Sequence, residues 1–465
     1  MQGIKHDISQ LQDLCCKDIL TIEDTATVSK ILRNYFDLHG RNQSFVITKD
    51  ALAKRFKELL APCGMIQGVE FAEQFYLFNY TLSQDYERSQ KEIYEAIAKP
   101  FKDWVLQKWD HMRPGFEFST RNGSNTIMIV ARHCTTVGKY APGKSIYSWA
   151  EALLVEGYHV DIICLGDLED KFSDLEKKYK NLRISKLIVP GLKIEIVSIL
   201  EIIRLNRPRC ILSEMEFGIG ALLGILSKNI PTYYLCQGFY NLPWFEKIVL
   251  SNIHKENNLS ERKKDLIFMH PFLSRTLLAP EPNHAAISDA KRKLQISDTD
   301  IVLSALGRME KFSPEFLDDC VALLGANSRI KLILAGPNDQ SVCREKLARY
   351  IDEFRVFVLP LSDAHTLGYL SDFGVDSYPN PAGLSALEFM AKGKPFFTKQ
   401  RQELSMWSKQ RQPEFVYEDH IHLNLLITQL TSNKKSMQKA RDGALELVNI
   451  YGLKRAKETL NALCL

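Results

Sequence analysis

No stretch of this sequence approaches the roughly 18–20 consecutive apolar residues that a membrane-spanning helix requires; the richest run, GIGALLGIL from Gly218 to Leu226, reaches about half that length. The opening residues, MQGIKHDISQLQDL, hold no apolar segment suited to export. No C-x-x-C occurs among the ten cysteines, so a structural zinc site has no support and no metal is expected. The cysteines are scattered, and several sit in apolar strand-like runs, such as Cys164 in VDIICLG, where a thiol packs as a small hydrophobe. That usage fits a reducing compartment, and a cytoplasmic protein is the expectation. Charge of one sign is also scarce. A net charge of +4 is too small to imply a basic groove, so nucleic acid is not an expected partner.

What is present is enough chain for more than one core. Single cores stop growing near roughly 250–300 residues, and this chain has 465. Residues 1–118 show helical apolar spacing, as in Ile31, Leu32, Tyr35 and Phe36 and again in Leu52, Phe56, Leu59 and Leu60. Aromatics crowd Phe71–Leu82 and Trp104–Trp109. This is read as a helical N-terminal region, closed by the polar stretch Thr120–Asn125.

From Asn125 the pattern changes. TIMIVA (Thr126–Ala131) reads as a buried strand, SIYSWAEALLVEGY as a helix ending at Gly157, and HVDIICLG (His159–Gly166) as the next strand. CILSEM, the helix GIGALLGILSK and TYYLCQG repeat the alternation. After a polar, proline-containing linker over Ala279–Asp300 a second series begins: IVLSALG, PEFLDDCVALL, KLILAGP, REKLARYI, RVFVLP, HTLGYLSD, FGVDSYP, AGLSALEFMAKG and PFFT, with a helical stretch over Asn424–Leu463. Alternating strands and helices predict two Rossmann-like, doubly wound α/β domains, over 119–285 and 286–465. Their ligand cleft is expected between them, outside the carboxyl ends of the strands.

The segment from Ala305 to Pro337 (ALGRMEKFSPEFLDDCVALLGANSRIKLILAGP) carries a resemblance. With Lys311, then Ser313-Pro314-Glu315 opening a helix, then Asn327-Ser328-Arg329 before a strand, it resembles the O-GlcNAc-transferase-like glycosyltransferases, including the bacterial protein N-glucosyltransferases. Gly307-Arg308 at the end of the first strand is similar to the wider GT-B class. The resemblance implies a GT-B fold and transfer of a sugar from a nucleotide-sugar, UDP-linked, to a protein or glycan acceptor. A departing nucleoside diphosphate gathers negative charge, and fixed cations stabilise it most in the transition state. Lys311 is the first candidate for that role and Arg308 the second.

A second signature is DSYPNPAGLSALEFMAKGKP, Asp376–Pro395. Here a turn leads into a helix starting near Ala382 or Gly383, whose free N–H groups suit a diphosphate. Asn380, Ala382, Gly383, Leu384 and Ser385 are the donor-binding candidates, and Gly383 lets the backbone approach a phosphate closely. Retaining members of the class place two glutamates eight residues apart. Here Glu388 fills the second position and Asn380 the first, which fits the inverting O-GlcNAc-type group better. Glu388 is assigned to ribose hydroxyls and His365, on the short helix in LSDAHTLGYLSD, to base or phosphate. No tightly bound cofactor and no metal are implied.

In the first half, GKYAPGKS (Gly138–Ser145) matches the P-loop pattern G-x-x-x-x-G-K-S, but RHCTTV separates it from the preceding strand and no magnesium-binding strand follows at the usual distance. Pro142-Gly143-Lys144-Ser145, followed by Ala150, Leu153 and Gly157-Tyr158-His159-Val160, instead fits the GT-B pattern. His133, beside Arg132 at the mouth of the first strand, is a candidate for assisting or receiving the acceptor proton. Gln237-Gly238-Phe239 and Trp244 are candidates for lining the acceptor side. Asp298-Thr299-Asp300 precedes a strand and reads as a turn. The alternatives are a catalytically silent GT-B partner protein and a P-loop NTPase.

Overall fold

The computed structural model describes residues 10–11, 13, 21, 23–28, 30–31, 54–82, 93–110, 124–136, 141–189, 192–215, 217–226, 229–236, 242–245, 247–251, 266–269, 274–307, 309–336, 339–360, 363–378, 384–400, 415–450, 460–461 and 463. The chain divides into two compact units, one formed by residues 1–134 and 153–269, the other by 135–152 and 270–465.

The first unit is built on a seven-stranded sheet. In chain order its strands are β1 (Thr126–Ala131), β2 (His159–Cys164), β3 (Leu182–Lys186), β4 (Cys210–Ser213), β5 (Thr232–Cys236), β6 (Lys247–Ser251) and β7 (Leu266–Met269). They lie in the order β3-β2-β1-β4-β5-β6-β7, and every pairing is parallel. All but the first residue of β1 is buried, the signature of a parallel strand covered on both faces. The helices Phe56–Leu60, Met65–Leu82 and Lys99–Asp110 do not build a core of their own. Phe56, Phe71, Phe75, Phe101 and Trp104 belong to one hydrophobic cluster with Met128 and Val130 of β1 and Phe217 and Trp244. A Cβ on Gly68 would lie 2.2 Å from the Trp104 ring, so glycine there lets two of these helices close up.

The second unit repeats the plan with six strands: β8 (Ile301–Leu306), β9 (Ile330–Ala335), β10 (Val356–Leu359), β11 (Phe373–Val375), β12 (Phe396–Lys399) and β13 (Val416–Tyr417). Their order is β10-β9-β8-β11-β12-β13, again all parallel. In both sheets the chain works outward from the first strand to one edge, then crosses back to the other side. That order is doubly wound, and the direction reverses between β1 and β4 and between β8 and β11. Two such Rossmann-like units, preceded by a helical region, make a GT-B fold. Residues 135–152, which lie within 119–285, group with the second sheet.

Candidate functional site

The carboxyl ends of β8 and β11 flank the reversal point of the second sheet, where doubly wound folds bind ligands. Gly307 follows β8 directly, and its N–H donates to the Ala335 carbonyl at the end of β9, 3.1 Å. A short 3₁₀ turn, Met309–Lys311, brings Lys311 back over it. The Lys311 Cδ lies 3.4 Å from where a Cβ on Gly307 would stand, so the lysine stem runs across the glycine. Ser313 then caps the helix Pro314–Ala326. Its hydroxyl accepts from the Phe316 N–H at 3.2 Å, Pro314 occupies the first turn, and Glu315 places a negative charge there. The Ser-Pro-Glu motif therefore fixes the direction in which the chain leaves Lys311.

Past β11 the chain reaches Tyr378, and the next described helix is Leu384–Ala391. The Ser385 hydroxyl donates to the Leu306 carbonyl, 3.4 Å away, so this helix is tied to the end of β8. Gly307, Lys311 and Ser385 are thus brought together at one strand end. Arg308, Asn380, Ala382 and Gly383 lie outside the described residues; Leu384 opens the helix.

Glu388 sits one turn after Ser385. It is not a surface carboxylate: its side chain is 4% exposed and forms an ion pair with Lys144 of the helix Ala141–Val155. His365 and Lys392 share these surroundings. Asp363 caps the helix Ala364–Leu370 by accepting from the His365 and Thr366 N–H groups at 3.0 Å, which sets the His365 backbone. His365 Nδ1 is buried and has no hydrogen-bond partner among the described residues. Burial, reinforced by the nearby Lys392, lowers its pKa to about 4, so the ring is neutral at neutral pH. Burial likewise lowers Lys392 to about 8, although Glu388 opposes the shift. The Lys392 Nζ donates to the Leu278 carbonyl at 2.8 Å and the Glu388 carbonyl at 2.7 Å.

Of the literal P-loop pattern, Gly138, Lys139 and Tyr140 lie outside the described residues. Gly143, Lys144 and Ser145 are inside a helix that begins at Ala141. A Cβ on Gly143 would stand 1.7 Å from the Thr135 carbonyl oxygen, so the glycine is required by backbone packing. Lys144 spends its charge on Glu388.

In the first unit, His133 follows β1 as expected. Its Nδ1 accepts from the Asp167 N–H at 3.0 Å, and the Asp167 carboxylate lies 3.4 Å from the same nitrogen. Beside it, the Arg132 N–H donates to Glu214 Oε2 at 3.2 Å and its Nη2 to Glu73 Oε1 at 3.0 Å. Glu73 and Glu214 escaped the sequence reading because neither lies in a motif. Trp244 is not a lining residue: it is 4% exposed and packs edge-on to Phe217 with centroids 4.9 Å apart. Gln237, Gly238 and Phe239 lie outside the described residues. Asp298 and Asp300 are turn residues. Asp298 pairs with Lys291, and Asp300 accepts from the Ser297 N–H at 2.7 Å.

Among the described residues no three metal-ligating side chains are grouped to hold an ion, and no helix is long and apolar enough to cross a membrane. Several solved structures share the fold. HepE from Anabaena, in complex with UDP and glucose, has a TM-score of 0.53 at 14% identity, over 72% of this chain and 99% of that one. A glycosyltransferase from Rickettsia africae ESF-5 gives 0.55 at 16% identity, over 72% and 97%. A mutant O-GlcNAc transferase from Thermobaculum terrenum gives 0.52 at 13% identity, over 97% of both chains. No family model matches the chain, and no curated protein matches it in sequence. At these identities the likeness is one of fold.

Proposed function

We propose that this protein is a glycosyltransferase that moves a sugar from a UDP-sugar to an acceptor hydroxyl or amide, with inversion and without a metal. The observation that carries the reading is the gathering of Gly307, Lys311, Ser385 and Glu388 around the carboxyl end of β8 and the helix that follows β11. In this reading Lys311 neutralises charge on the departing diphosphate, and the start of the helix Leu384–Ala391 adds backbone donors. Glu388 accepts from ribose hydroxyls, and His365, neutral and with an unpartnered ring nitrogen, contacts the base or phosphate. Arg308, Asn380, Ala382 and Gly383 belong to the same donor site. HepE, bound to UDP and glucose, supports a UDP-linked donor. The acceptor approaches over the first unit, where the helical region of residues 1–118 offers a surface for a protein or glycan. His133, which follows β1, assists or receives the acceptor proton there. A cytoplasmic setting suits a soluble nucleotide-sugar.

Thermal shift with UDP and a panel of UDP-sugars tests the donor site, since a silent partner protein would not be stabilised by ligand. With the active donor in hand, Lys311→Ala should lower kcat by about a hundredfold or more, the scale of one transition-state charge contact. Full turnover in a folded Lys311→Ala protein would remove the proposal.

A further inference from the structure

The Glu388–Lys144 pair joins residues 244 positions apart in sequence, and both side chains are largely buried. A carboxylate so enclosed is costly unless a cation and hydrogen bonds compensate it. Lys392, the other lysine of the group, directs two of its three donors to the Leu278 and Glu388 carbonyl oxygens, and neither of these bonds reaches the Glu388 carboxylate. Lys144 therefore supplies the hydrogen-bonded cation, with Lys392 close by, and its hydrogen bond goes to one of the two oxygens, Oε1. Oε2 has no hydrogen-bond partner among the described residues. One oxygen is thus anchored and the other is left as an acceptor, on the helix that also carries Ser385.

Lys144 is itself rigidly placed. Gly143 brings the first turns of its helix against the Thr135 backbone. One turn later the Ser148 hydroxyl donates to the Lys144 carbonyl at 2.8 Å and accepts from the Ser274 N–H at 2.9 Å. The backbone from which this lysine projects is thus fixed against Thr135 and Ser274.

We infer that Lys144 is a positioning residue for the donor: it orients the Glu388 carboxylate so that Oε2 receives the ribose hydroxyls of the nucleotide. The inference rests on the nucleotide-sugar reading above and names a residue outside its donor-site set. It assigns the lysine of the PGKS segment a role at the ribose. The lysine reads the ribose through a glutamate and not the phosphate directly.

The test compares binding of UDP with that of a dideoxy-UDP lacking both ribose hydroxyls, by titration calorimetry, in wild type, Lys144→Met, Lys144→Arg, Glu388→Gln and the double variant Lys144→Met/Glu388→Gln. Wild type should prefer UDP by about tenfold, the scale of one hydrogen bond to a charged group. Lys144→Met should lose most of that preference by weakening UDP and leaving the dideoxy analogue little changed, and Lys144→Arg should recover part of it. The double variant should be no worse than Glu388→Gln, as coupled residues require. In steady state Lys144→Met should raise the donor KM while kcat changes little. A folded Lys144→Met protein that retains the full wild-type preference overturns the inference. Absence of UDP binding by wild type would overturn the nucleotide-sugar reading itself. Should Lys144→Met fail to fold, the Lys144→Arg protein carries the comparison. A preference undiminished there, with Glu388→Gln equally unaffected, also overturns it.

Discussion

Asp319 receives both the phenol hydrogen of Tyr378 and the Nζ of Lys399, the latter at 2.7 Å, and so joins the ends of β11 and β12 to the helix Pro314–Ala326. Lys399 also reaches Glu315 at 2.9 Å. Burial and the adjacent carboxylate both push the Tyr378 phenol up, so it stays a donor at any ordinary pH. The bracket fixes the last described residue before the segment that leads to the helix Leu384–Ala391.

Tyr378→Phe removes that donor and leaves Asp319 paired with Lys399. A loss of about 1–2 kcal/mol in chemical denaturation is expected, typical for a buried hydrogen bond to a charged group. A stability equal to wild type would mean that the lysine alone satisfies the carboxylate.

Phe217 stacks on Tyr76 at 4.8 Å, tilts against Phe101 at 5.0 Å and meets Trp244 edge-on at 4.9 Å. It joins the N-terminal helices to the first sheet. Phe217→Ala should cost about 3–5 kcal/mol, the range for emptying a buried aromatic site. Near-UV circular dichroism should show the surrounding aromatics losing their fixed packing. A change below 1 kcal/mol, far outside that range, would contradict a shared core.

Gly143→Ala separates the packing account of the PGKS glycine from a phosphate-binding one. With the Thr135 carbonyl in the way, the added methyl forces the backbone apart and should cost about 1–3 kcal/mol or more without any ligand present. A melting temperature equal to that of wild type would return the glycine to the role of a ligand contact.

His365 makes stability depend on pH in the acid range. Its folded pKa of about 4 lies below the unfolded value of 6.5, so between these values the unfolded chain binds more protons. Stability therefore rises with pH through that window and is lost as pH falls through it. His365→Gln should flatten the slope there in urea titrations. An unchanged slope would show that His365 is accessible to protons in the folded state.

The strands that sequence reading found most cleanly, β1 and β8, are covered on both faces and so read as unbroken apolar runs. β3, LRISK, was not legible because it lies at the sheet edge, with Arg183 and Lys186 exposed and only Leu182 buried. KIVLS and LIFM, which form β6 and β7, are short and were passed over between polar stretches. Gly307 and Lys311 could be placed at the end of β8 because they follow an apolar run closely, and Ser385 because it lies in the first turn of the helix after β11. The environment of Glu388 was not legible, since its partner Lys144 comes from the other half of the sequence and carried a misleading motif. Trp244 looked like a lining residue because an aromatic after a strand gives no sign of its depth.

The helix Ala141–Val155 begins in one compact unit and ends in the other, so the chain passes between the units at 134/135, 152/153 and 269/270. Neither unit is a contiguous piece of sequence. A truncated protein beginning near residue 270 would leave Glu388 without Lys144 and the Ser274 N–H without the Ser148 hydroxyl. Dissecting this molecule thus calls for circular permutation or co-expression of complementary fragments, not a single cut.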